Sequence, residues 1–114
     1  MQVIGKKPKR RMSDTLIEFA KPELLRDGDS ADQWRYELML ASIVWNGVLV
    51  GKTAAELIVS LSEERPLDPE LASIIETLVQ RRATKYAADK RCVVDLQAYD
   101  TDEGGVHVVA ASAM

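Results

Sequence analysis

The chain has 114 residues, of which 46% are hydrophobic and 29% charged, with a formal net charge of −3, as expected of one ordinary globular domain. Its lone cysteine, Cys92, excludes an internal disulfide and a cysteine-rich zinc site. The basic N-terminus is followed by no apolar run of signal-peptide or membrane-spanning length, so a reducing, cytoplasmic setting without a membrane is the expectation.

The charge is unevenly spread. Residues 1–12 contain Lys6, Lys7, Lys9, Arg10 and Arg11 and no acid, while the remainder holds ten basic against eighteen acidic residues, a balance of −8. An acidic body is not what a dedicated nucleic-acid binder presents. The first twelve residues show no hydrophobic periodicity and read as a disordered basic arm ahead of a single domain over 13–114. Met12-Ser13-Asp14 is an alternative translation start to Met1.

Helix one is expected from Ser13 or Thr15, where Thr15-Leu16-Ile17-Glu18 has capping-box spacing. Pro22 lacks an N–H and clashes with the preceding turn, which stops or kinks the helix near Lys21. Leu24 and Leu25 continue its apolar stripe to the Asp27-Gly28 turn. Ser30 is a good N-cap for the element that organises the rest, a helix over 31–50. Ten of the thirteen residues from Leu38 to Val50 are apolar and they occupy every face, so this helix is expected to be buried on all sides. Gly51 terminates it. Gly47 inside it costs helix stability and points to a close approach by another helix, from the same chain or a second copy.

Thr53-Ala54-Ala55-Glu56 is a second capping box, opening a short helix that ends near Ser62. Asp68-Pro69 opens a fourth helix, whose Leu71, Ile74, Ile75, Leu78 and Val79 form one amphipathic face. From Arg91 the period falls to two, with Cys92, Val94, Leu96 and Ala98 on one face of a strand. Turn residues 100–105 and the valine-rich run from Val106 complete a C-terminal β-hairpin over about 91–112. The expected fold is α+β and mainly helical, with about four helices around the central one and the hairpin packed on a side.

The segments TLIEFAKP, LASIVWN and DKRCVVDLQAY, in this order, resemble small uncharacterised bacterial proteins over most of residues 15–110. The shared positions are core residues, so the resemblance implies this architecture and a bacterial source. It brings no activity, cofactor or site residue with it.

Chemistry is sparsely provided for. With a turn centred near 102–103, the only histidine, His107, lies opposite residue 98 or 99, about 20 Å along the strand from Cys92, too far to share a proton. Asp100, Asp102 and Glu103 cluster, but the twelfth position of an EF-hand loop would be Ala111. Gly51-Lys52-Thr53 lacks the remaining glycine and the strand of a phosphate-binding loop. These patterns point to a protein that is not an enzyme and holds no cofactor or metal. The leading expectation is a protein–protein interaction module that self-associates, with Trp34, Trp45 and Gly47 as candidate interaction residues. The alternative is a nucleic-acid-associated accessory or regulatory protein, contacting phosphates through Lys6, Lys7, Lys9, Arg10, Arg11, Arg81, Arg82 and Lys85. A third class is a small-ligand binder with a pocket between Trp34, Trp45 and Asn46.

Overall fold

The computed structural model describes residues 11–64 and 66–113. Four helices, α1 (Met12–Ala20), α2 (Ala31–Leu49), α3 (Ala54–Glu64) and α4 (Pro69–Thr84), precede an antiparallel hairpin of β1 (Cys92–Asp100) and β2 (Val106–Ala113). This is the mainly helical α+β fold that the periodicities predict. Lys6, Lys7, Lys9 and Arg10, and most of the expected arm with them, lie outside the described residues.

Three of the four helix starts follow the local code. The Ser30 hydroxyl accepts from the Gln33 amide at 3.2 Å, and the Asp68 carboxylate accepts from the Leu71 amide at 2.8 Å with Pro69 in the first turn. At α3 the capping box closes in both directions, Thr53 N–H to Glu56 Oε1 at 3.0 Å and Glu56 N–H to Thr53 Oγ1 at 3.2 Å. The end of α2 is equally regular: Gly51, at φ +90°, and Lys52 donate back to the carbonyls of Val48 and Gly47 at 3.0 and 2.9 Å.

The start of α1 departs from expectation. It takes in Met12, which is buried, and its N-cap residue Arg11 provides no side-chain cap. Thr15 and Glu18 do not form a capping box. Thr15 Oγ1 accepts from the Arg91 guanidinium at 3.2 Å, and Glu18 Oε1 accepts from the Tyr86 hydroxyl at 2.5 Å. Long-range partners outcompete the local one, because here both side chains face packed elements rather than the helix end.

The core lies between α1, α2, α4 and the inner face of the hairpin, with Leu16, Phe19, Leu38, Val44, Trp45, Leu57, Ile75 and Leu78 fully enclosed. Phe19, Trp45 and Tyr86 form a three-ring cluster, Phe19 edge-on to both others with centroids 5.3 and 5.7 Å away. α2 runs through this core but is not buried on all sides. Met39 and Ile43 remain 50% and 40% exposed. The reason is the number of neighbours: α1 and α4 cover one side, α3 meets Gly47, the hairpin takes another side, and one stripe is left over.

In the hairpin, Tyr99 pairs with His107 and Cys92 with Ala113, so Cys92 and His107 do stand at opposite ends. The strict alternation expected for β1 fails at Val94. A bulge between Val93 and Asp95 adds an unpaired residue and resets the phase. Val93, Leu96 and Ala98 therefore pack inward while Val94 is 60% exposed.

Candidate functional site

The three residues expected to mediate interaction are mostly used inside the chain. Trp45 is fully buried and donates its indole N–H to the Arg91 carbonyl at 2.7 Å. At Gly47 an added Cβ would stand 2.6 Å from Leu57 Cδ2, so the close approach is made by α3 of the same chain. Trp34 is half-buried and its indole donates to the Arg26 carbonyl at 3.0 Å. Asn46 is committed as well: its amide nitrogen donates to Val93 O at 2.9 Å and its amide oxygen accepts from Val93 N at 2.8 Å. A ligand pocket between Trp34, Trp45 and Asn46 is therefore replaced by packing and by bonds to the hairpin.

The basic patch of α4 is likewise turned inward. Arg81 makes a forked pair with Glu23, with contacts of 2.6 and 2.7 Å, and also donates to the Phe19 carbonyl. That pairing with Glu23 raises the Arg81 pKa. Arg82 is buried, its guanidinium 3.8 Å from the centre of the Trp45 ring. It donates to the carbonyls of Tyr86 and, at 2.7 Å, Asp89, which ties down the connection from α4 to β1. Burial pushes its pKa down, partly offset by the nearby Asp89 carboxylate. Neither guanidinium is presented to a phosphate. Lys85 remains largely exposed, 3.5 Å from Glu18, and Arg11 is exposed at the start of α1.

Part of this was readable beforehand. Arg82 follows Ile75 and Leu78 at helical spacing, so the pattern already places it on the buried stripe. The Asp89–Arg91 pair has no such signal. Its contact is 2.5 Å with both side chains largely enclosed, and hydrogen bonds from Arg91 hold the Asp89 carboxyl below the usual range.

Large apolar side chains remain exposed on α2, α3 and the hairpin. Asn46 and Arg35 mark the side of α2 that faces β1, Arg35 donating to the Ala98 carbonyl at 2.9 Å. Met39 and Ile43 are the next positions round the helix, away from the core. On the hairpin, Val94, Tyr99 and Val109 are 60%, 49% and 47% exposed on its outer side. A separate open groove of about 370 Å³ between the α1–α2 connection and the start of α4 is lined by Leu24, Leu40 and Leu71 with Asp29, Glu37 and Asp68 at its rim. Partial burial, reinforced by Asp29, raises the Glu37 pKa.

Among the described residues, no group of three or more His, Cys, Asp or Glu is gathered as metal ligands would be, and no helix is long and apolar enough to cross a membrane. Comparison of the chain with protein-family models, with curated proteins and with solved structures found no match.

Proposed function

We propose that this chain is a non-enzymatic, cytoplasmic protein–protein interaction module whose first partner is a second copy of itself. The observation that supports it is the exposure of large apolar side chains on two elements, Met39 and Ile43 of α2 and Val94, Tyr99 and Val109 of the hairpin, all at least 40% exposed. Several large apolar side chains exposed on a small protein mark an association surface more often than a single one does. A nucleic-acid role would rest on residues 6–11 with Lys85 and Lys90, since Arg81 and Arg82 are spent within the fold. Light scattering coupled to gel filtration at tens of micromolar tests the reading. A mass of twice the chain's 12.7 kDa is expected, and a monomer throughout that range overturns it.

A further inference from the structure

The four helices are not held equally. α1 is tied to the rest by bonds onto Thr15, Glu18 and the Phe19 carbonyl, α2 by Arg35, Trp45 and Asn46, and α4 by Arg81 and Arg82. The polar side chains of α3 bond only within the helix and its cap: Thr53 with Glu56, and the Ser62 hydroxyl with the Ile58 carbonyl at 2.6 Å. Among the described residues, no side-chain hydrogen bond or ion pair joins α3 to another element.

Its packing is as thin. α3 rests chiefly on α4 and meets α2 at Gly47. Among its described side chains only Leu57 is fully buried, while Ala54, Ile58 and Leu61 are half-buried and Val59 is 60% exposed. Nor do the neighbouring helices need it to complete their ends. α2 closes through Gly51 and Lys52, and α4 opens on its own Asp68 cap, so neither loses a backbone partner if α3 departs. Few buried apolar contacts, with polar bonds that stay inside the element, mark a unit that opens at lower free energy than the core.

We infer that α3 is a detachable strap, opening as one unit while α1, α2, α4 and the hairpin keep their common core. An eleven-residue helix is marginal by itself in water, so undocking and melting are a single event. The open form is a minor species under native conditions. It bares the Gly47 side of α2, where the helix has no side chain to cover its own backbone and which Leu57 fills in the closed form. The device is independent of self-association.

Native-state hydrogen exchange of the full chain at low urea tests this. The amides of Ile58 and Leu61 should exchange with protection at least about a hundredfold below that of Val44 and Leu78, and with a weaker dependence on urea. The variant Val59→Pro breaks α3 at an exposed position without touching the core. In it, α3 should lose protection altogether, while Val44, Leu78 and Val93 stay protected and the remainder unfolds in one cooperative transition. Two results would overturn the inference: Ile58 protected as strongly as Val44 in the parent, or loss of protection at Val44 and Leu78 in Val59→Pro. The first of these needs no variant to fold.

Discussion

Gly47 and Leu57 show how one missing side chain sets the distance between two helices. With Leu57 Cδ2 at 2.6 Å from where a Cβ would stand, alanine at 47 gains about 1 kcal/mol of helix propensity but forces a 2%-exposed leucine out of its place. The overlap should win, leaving Gly47→Ala destabilised by about 1 kcal/mol in urea denaturation. Leu57→Ala removes the clashing atoms, so the double variant should be at least about 1 kcal/mol more stable than the sum of the single effects. Simple additivity would show that the contact does not constrain the packing.

Asp89 makes a different kind of contribution, one that depends on pH. Its carboxyl is held below its unfolded value by Arg91, so the stabilisation is present above about pH 4, the unfolded range, and is lost as pH falls through the lower folded value. Asp89→Asn should therefore cost about 1–3 kcal/mol at neutral pH, and the gap to the parent should close as the medium is acidified below about pH 4. A gap unchanged down to acid unfolding would show that the charge itself contributes nothing.

At the scale of elements, the decisive relation is between α2 and the hairpin. A two-stranded hairpin is marginal in water on its own. Here Asn46 completes the hydrogen bonding of Val93, Arg35 that of Ala98, and Asp100 returns the service by accepting from the Ala31 amide at 2.9 Å at the start of α2. Asn46→Leu should cost about 2 kcal/mol by leaving two backbone groups of β1 without partners. Asn46→Asp keeps the acceptor but turns a carboxylate toward the Val93 carbonyl. Its loss should resemble that of Asn46→Leu at neutral pH and shrink in acid, where a protonated carboxyl can donate. A pH-independent loss in thermal denaturation would argue against this geometry.

The same relation explains what the chain disclosed before it was folded. Helix boundaries at Ser30, Gly51, Thr53 and Asp68 are decided by residues within a turn of each other, and all four were legible. Thr15 and Glu18 carry an equally good local pattern, but their partners, Arg91 and Tyr86, lie about seventy residues away. Nothing near Val94 marks the bulge, which follows from β1 having to present Val93 to Asn46 and Leu96 to the core at once. For the candidate surface the outcome was mixed. The surplus of apolar groups on α2 was visible, but that Trp45 and Gly47 pack inside the chain was not, because only the tertiary arrangement shows which stripe is left uncovered.

Across the whole molecule, helices and hairpin share one core rather than two. Trp45 touches Phe19 of α1, lies under Arg82 of α4 and bonds to Arg91 just before β1. Denaturation followed by tryptophan emission and by far-ultraviolet circular dichroism should accordingly give superimposable transitions. A hairpin that melts separately at lower denaturant would split them.

The clasp between α2 and β1 also has a consequence in time. Asn46 and Val93 are separated by 47 residues, and Ala31 and Asp100 by 69. On a ribosome α2 emerges well before the strand it serves, so Asn46, Arg35 and the Trp45 indole must stay hydrated until translation reaches the hairpin. The four helices can condense early through neighbouring contacts, whereas closure of the clasp waits for distant ones and should be the slow, late step of folding.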